Sequence, residues 1–121
     1  MTLAPAAKTG ALLLHLRKRA DFLAANAGKR AATPGFNVQA LQRSDNSPAI
    51  RVGFTCSKKL GNAVQRNRAK RRLREIARRV IPEQGQSGWD YVLIGKANVT
   101  ATRLFTDLQN DLSQALKRLH P

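Results

Sequence analysis

The sequence predicts a single α+β domain, a small mixed sheet with helices packed on it, running α-β-β-α-β-α. Three observations predict it. Two segments alternate apolar and polar residues, and a third is a continuous apolar run, as strands do. Other segments repeat apolar residues every three or four positions, as amphipathic helices do. Residues 58–79, KKLGNAVQRNRAKRRLREIARR, hold ten Lys or Arg among 22 positions and one acid, Glu75, at helical spacings.

Taken in order, residues 1–15 read as an extended or mobile arm, because this Ala-, Thr- and Pro-containing stretch has no convincing period. Leu16–Ala27 predicts a short helix, with Leu16, Ala20, Leu23 and Ala27 on one side and Gly28 as its stop. Residues 29–35 form a connection with a turn at Pro34-Gly35 and room for a short extra strand pairing. In Phe36–Arg43, residues Phe36, Val38 and Ala40 point one way and Asn37, Gln39 and Leu41 the other, which predicts a half-buried strand. A polar loop at 44–48 leads to a second strand, Ala49–Ser57, with Ile50, Val52, Phe54 and Cys56 on one face. The short link predicts an antiparallel hairpin between these two strands.

Lys58–Asn62 turns into the basic helix, whose apolar seam is Ala69, Leu73, Ile76, Ala77 and Val80; Pro82 ends it near Val80 or Ile81. Trp89–Lys96 is the third strand, and its run Tyr91-Val92-Leu93-Ile94 is apolar enough to be central. A last helix from about Arg103 to Leu119 buries Phe105, Leu108, Leu112, Ala115, Leu116 and Leu119. The folded domain is therefore expected over residues 16–121.

Lys plus Arg number 22 and acids 7, a formal charge of +15. Nucleic acid is the default partner at that balance, with an anionic membrane surface as competitor. No apolar run approaches the ~20 residues that span a bilayer. The apolar stretch at 11–14 has its basic residues after it, the wrong order for a signal peptide. A single cysteine, Cys56, excludes an internal disulfide and permits a reducing compartment, so the expected location is cytoplasmic. With one Cys and two distant His, His15 and His120, no zinc set exists. The acids are scattered and no phosphate-binding glycine loop is present, so neither catalytic side chains nor a bound metal or cofactor is expected of the protein.

Solvated helix faces usually mix signs, because like charges at i,i+4 repel. Here Arg66, Lys70 and Arg74 form one stripe, and Arg68, Arg71, Arg72, Arg78 and Arg79 spread charge over the adjoining faces. Seven of these eight are Arg, whose planar fork binds phosphate in bidentate fashion and stacks on bases. Asn62 admits two readings, helix cap or RNA contact. Asn67 sits between two arginines where helix propensity disfavours it, and is read as a group that recognises RNA or holds a phosphate or hydrated ion. Phe22 is either a core residue or a platform for an unpaired base; its place off the apolar side of its helix favours the platform. Trp89 and Tyr91 read as core or strand-edge aromatics, and Cys56 as core filler.

The segment Arg51–Arg78, RVGFTCSKKLGNAVQRNRAKRRLREIAR, resembles the signature of the bacterial ribonuclease P protein subunit in its RVGF strand, SKK turn, GNAV, the triplet Arg66-Asn67-Arg68, and KRRLRE. Weaker similarity covers LRKRADF at 16–22, DYVLIGK at 90–96 and the closing helix. The resemblance implies a sandwich like a small-subunit ribosomal-protein domain, with a left-handed crossover through the basic helix, against the usual right-handed rule. It implies a subunit of a tRNA 5′-maturation endoribonuclease in which a large RNA, with its Mg²⁺, hydrolyses the phosphodiester. The implied partners are that catalytic RNA and the 5′ leader of precursor tRNA, with no membrane.

Carried over by position, Phe22, Gln39 and Tyr91 would line a leader groove between the first helix and the sheet, edged by Arg66, Asn67, Lys70 and Arg74. Lys58, Lys59, Asn62, Arg68, Arg71 and Arg72 would face the catalytic RNA. Many members have a second aromatic four residues after the first, where this chain has Asn26; some have a groove aromatic where it has Gln39. Leader stacking is expected to be weaker here and hydrogen bonding more important. A ribosomal or general RNA-binding protein would share the charge, but GNAVxRNRxKRxLRE favours the enzyme subunit. The scattered acids oppose an autonomous metal-dependent nuclease.

Overall fold

Local pattern makes the elements, and the sheet sorts them onto two faces. The computed structural model describes residues 2–5 and 12–121. Six strands, β1 (Thr2–Pro5), β2 (Leu12–His15), β3 (Lys29–Ala32), β4 (Phe36–Gln42), β5 (Ile50–Thr55) and β6 (Trp89–Gly95), form one mixed sheet in the order β1-β2-β5-β6-β4-β3. Three helices accompany it: α1 (Arg19–Asn26), α2 (Ala63–Gln84) and α3 (Phe105–Leu119). A 3₁₀ turn at Lys58–Leu60 precedes α2.

Strands β2, β5 and β6 run parallel, while β6 pairs antiparallel with β4, and β4 with β3. The expected hairpin between β4 and β5 does not form, because β6 lies between them and hydrogen-bonds to both. The apolar run of β6 requires a place with neighbours on both edges, and the centre of the sheet supplies it. The expected extra pairing at 29–35 is β3. The segment read as an extended or mobile arm contributes β1 and β2, and β2 joins the sheet beside β5. Residues 1 and 6–11 of that arm lie outside the described residues.

One face of the sheet carries Phe36, Val38, Ala40, Ile50, Val52, Tyr91 and Leu93, packed against the seams of α2 and α3. From α2 come Leu73, Ile76, Ala77, Val80 and Ile81; from α3 come Leu108, Leu112, Ala115, Leu116 and Leu119. The opposite face carries a smaller cluster under α1: Leu16, Ala25 and Val92, with Phe22, Leu41 and Ile94 partly buried. The predicted apolar side of α1 is corrected here. Leu23 is exposed and Ala25 is fully buried, and Leu16 precedes the helix rather than belonging to it. Gly28 admits the close approach of this helix to the sheet, since a Cβ there would lie 2.2 Å from the Ala40 carbonyl oxygen.

Helix α2 begins in a capping box, with Asn62 Oδ1 accepting from the Gln65 N–H and Gln65 Oε1 accepting from the Asn62 N–H. It continues through Pro82 to Gln84, three to four residues past the predicted stop. The proline falls in the last turn, with its ring buried against the core. There it forfeits one backbone hydrogen bond without obstructing further turns.

Candidate nucleic-acid interface

The acids decide where positive charge is left over. Asp90, almost wholly buried, accepts from Arg43 at 2.8 Å and from Arg51 at 2.6 Å. Arg51 also reaches Asp21 on α1 at 3.3 Å, which ties that helix to the sheet. The Asp90 hydrogen bond holds the Arg51 guanidinium above its usual pKa. Asp45 pairs with Arg43, Asp111 with Arg103, and Glu75 with Arg78 and Arg79. Among the described residues none of these acids pairs with Arg66, Arg68, Lys70, Arg71, Arg72 or Arg74. The first half of α2, through Arg74, therefore keeps its positive charge without a counterion among the described residues.

The basic side chains occupy two surfaces. Val64, Asn67, Arg68, Arg71 and Arg72 line an open concavity of about 520 Å³ on the outer side of α2. Arg72 is partly spoken for: its guanidinium donates to the carbonyl oxygens of Ala101 and Arg103, holding the turn before α3. Burial, then the nearby Arg68, lowers its pKa. Round the helix, Arg66 donates to the Gly61 carbonyl, Lys70 lies close enough to Cys56 for its charge to act on the thiol, and the Arg74 guanidinium sits 5.9 Å from the Phe54 ring centre. Burial outweighs Lys70 and pushes the Cys56 thiol up. His15 meets the same Phe54 edge-on, and burial followed by Arg74 lowers its pKa.

Placement of the expected groove residues divides them. Phe22 lies half-buried over Gly53, where a Cβ would meet its ring at 2.5 Å, so the glycine makes room for the aromatic. Gln39 is on the same face, its Nε2 donating to Asn26 Oδ1 at 2.7 Å. The two positions noted above for lacking an aromatic thus bond to each other. Tyr91 is a correction: it points to the α2/α3 face, fully buried, and cannot line a groove on the α1 face. The Gln86 N–H donates to its hydroxyl, which lies 2.7 Å from His120 Nε2. The continuous apolar run of β6 carried no alternation to reveal this orientation. Arg74 is a second correction. It covers Phe54, whereas Phe22 covers Gly53; adjacent strand residues face opposite ways, so β5 separates Arg74 from Phe22. Asn67 shares the outer concavity with Arg68 and Arg71, away from the stripe. Asn62 is the helix cap, and Lys58 and Lys59 are exposed in the turn before it.

Sequence reasoning missed Asn37 and Arg30, which flank Gln39 on the α1 face. The register places Ala32, Asn37, Ile94 and Thr55 in one row across β3, β4, β6 and β5. Alternation in β4 already put Asn37 beside Gln39; only the pairing with β3 and β6 makes a floor of them. No helix is long and apolar enough to cross a membrane among the described residues.

Fold and charge define the class: a small α+β protein whose one long helix carries a basic surface that no acid among the described residues neutralises. The family model described as Ribonuclease P matches residues 13–120. The ribonuclease P protein component of Ruegeria pomeroyi is 58% identical over 106 residues, covering 87% of this chain and 85% of the relative. The RNase P protein of Staphylococcus aureus superposes with a TM-score of 0.71 at 30% identity, covering 88% of this chain and 94% of that one. The Thermotoga maritima protein gives 0.70 at 29%, covering 88% and 98%. The chain belongs to the ribonuclease P protein family, protein components of a tRNA-processing ribonucleoprotein.

Proposed function

We propose that this protein binds the catalytic RNA of ribonuclease P and the single-stranded 5′ leader of precursor tRNA, while the RNA performs the cleavage. The observation that carries the reading is that five acids are committed to other arginines and that, among the described residues, no acid pairs with six basic residues on α2. Such a surface favours a polyanion. The outer concavity with Asn67, Arg68 and Arg71 would meet the catalytic RNA, joined by Lys58 and Lys59. The leader would cross the α1 face of the sheet, over Phe22 and Gln39, with Arg66 and Lys70 at the end where β5 turns into α2.

In this reading the protein supplies no catalytic Mg²⁺ site. Asp21, Asp45, Asp90, Asp111 and Glu75 are spent on arginines, and among the described residues no three of His, Cys, Asp and Glu converge on one point. The metal of the holoenzyme is therefore assigned to its RNA, and the protein acts by holding substrate in position. The proposed compartment is the cytoplasm.

Paired binding measurements test this. Lys70→Ala should weaken precursor tRNA binding by the reconstituted holoenzyme and spare mature tRNA, which has no leader. Arg68→Ala should weaken assembly with the catalytic RNA whatever the substrate. Equal losses for precursor and mature tRNA with Lys70→Ala would remove the leader from the reading, and turnover by RNA-free protein would overturn the assignment of chemistry to RNA.

A further inference from the structure

Helix α3 buries one side against the sheet and turns the other to solvent. Its open side carries Asn110, Gln114, Lys117 and Arg118, all exposed and recurring at helical spacing. Lys29 joins them from the edge strand β3. Its Nζ donates to the Leu119 carbonyl at 3.0 Å, and Arg118 Nη2 donates to the Ala32 carbonyl at 2.5 Å, so the three cations stand where the end of α3 meets β3. Two open cavities lie beside them. One, of about 250 Å³, has Asn110, Gln114 and Arg118 in its wall; the other, of about 240 Å³, has Gln84, Gln86, Lys117 and His120. Asp111 also lines the first, but Arg103 holds it at 2.8 Å. Among the described residues no acid pairs with Lys29, Lys117 or Arg118. A cation at a helix C-terminus answers the helix dipole. Lys29 meets that demand through Leu119, so Lys117 and Arg118 stand in excess of it. The large apolar side chains exposed among the described residues, Leu23, Val64 and Leu104, lie elsewhere. A protein partner or a membrane would need an apolar centre here. A sugar-phosphate backbone needs cations and hydrogen-bonding side chains, which this corner supplies.

We propose that the exposed face of α3, together with Lys29 of β3, is a second contact for the catalytic RNA, separate from the basic half of α2. The inference rests on the reading of that RNA as the partner of α2 and adds a surface to it. Helices α2 and α3 form one layer on one side of the sheet, so an RNA lying against Arg68 and Arg71 meets α3 on the same side. The leader reading puts the substrate strand on the other side. Within the layer the two contacts lie at opposite ends. Helix α2 starts after β5 ends, whereas α3 ends beside Trp89, where the parallel strand β6 begins. A strand the length of β6 separates those ends by roughly 20 Å. Lys117, Arg118 and Lys29 take backbone phosphates, and Asn110 and Gln114 bond the neighbouring 2′-hydroxyls. One basic patch lets the protein pivot on the RNA; two fix its orientation.

The test measures binding of the full chain to the catalytic RNA over a salt series, with hydroxyl-radical footprints of the RNA at saturating protein. Wild type, Lys117→Gln, Lys117→Arg and Arg68→Ala are compared. Lys117→Gln should reduce the salt slope by about 0.7–0.9, one phosphate. It should also expose one RNA segment that stays protected with Arg68→Ala. Lys117→Arg keeps the charge and should behave as wild type, which guards against a merely structural effect. An unchanged slope and footprint in Lys117→Gln overturns the α3 contact, and a reduced slope in Arg68→Ala then leaves the α2 reading standing. A changed ratio of precursor to mature tRNA binding in the holoenzyme, with assembly unchanged, would move the surface to the tRNA and overturn its assignment to the catalytic RNA. Slopes unchanged in both Lys117→Gln and Arg68→Ala overturn the two contacts together.

Discussion

At the scale of single residues, the two buried polar centres carry the sharpest consequences. Arg43 is enclosed at 6% side-chain exposure and Asp90 at 2%, and Arg43 also donates to the carbonyls of Ser47, Ala49 and Trp89. Removing the carboxylate leaves the buried guanidinium with only the half-exposed Asp45 as counterion. Asp90→Ala should therefore cost about 3–5 kcal/mol, measured by denaturant unfolding. A loss below about 1 kcal/mol would mean that water enters and solvates Arg43. The second centre is His120, which stands edge-on to Trp89 at 4.6 Å and shares a hydrogen bond of 2.7 Å between its Nε2 and the Tyr91 hydroxyl. Burial, then Lys29, lowers the His120 pKa below 6.5, and burial raises that of Tyr91. A histidine whose folded pKa is depressed contributes stability above its unfolded value and loses it as pH falls through the folded one. Stability should thus decline below about pH 6.5, and His120→Gln should flatten that decline in thermal melts taken from neutral to mildly acidic pH. His15, lowered by burial and Arg74, adds a slope of the same sign that survives the substitution.

At the scale of elements, α2 divides into a paired and an unpaired part. Arg78 and Arg79 lean on Glu75 at 2.9 and 3.1 Å, and Arg79 also lies 5.0 Å from the Phe105 ring. Arg68 and Arg71 have no such partners among the described residues and line the outer concavity. Each phosphate neutralised by RNA binding contributes roughly −0.7 to −0.9 to the slope of log K against log salt. Arg68→Ala should reduce the slope for the catalytic RNA by about one phosphate, whereas Arg79→Ala should leave it nearly unchanged. Filter-binding isotherms over a salt series separate these outcomes; equal changes for the two variants would spread the interface over the whole helix. The same division explains Pro82. The helix needs its final turn only to carry Val80, Ile81 and Pro82 into the core, so a proline that would break the basic section is tolerated there.

At the scale of the whole molecule, a charge of +15 on 121 residues opposes compaction. Anions that gather on the native α2 surface stabilise the fold by linkage, because the unfolded chain disperses the same charges. Sulfate or phosphate should raise the melting temperature more than chloride at matched ionic strength. Identical shifts for the three anions would indicate plain screening rather than binding. The core resists this repulsion by placing a two-helix layer on one side of the sheet, while the α1 side stays partly open. That asymmetry leaves the floor row Ala32, Asn37, Ile94 and Thr55 only partly covered.

The sequence by itself determined the features whose causes are local. The seams of α2 and α3, the alternation in β4 and β5, and the excess of arginine on one helix depend on neighbours within a few positions. The motif RVGFTCSKKLGNAVQRNRAKRRLRE carried the family as well. Tertiary structure decided what depends on distant partners. Whether β4 pairs with β5 or admits β6 between them is a matter of long-range sheet order that no spacing encodes. The side of β6 that Tyr91 occupies was invisible, because a strand buried on both faces has no polar residues to mark a direction. In the eight residues of α1 the amphipathic signal is weak, so contact with the sheet chose Ala25 over Leu23. Arg72 and Arg74 looked equivalent to Arg68 and Lys70 until the turn before α3 and the Phe54 ring claimed them. Charge is written along the chain, but which charges remain free is settled only when the fold brings acids and carbonyls to meet them.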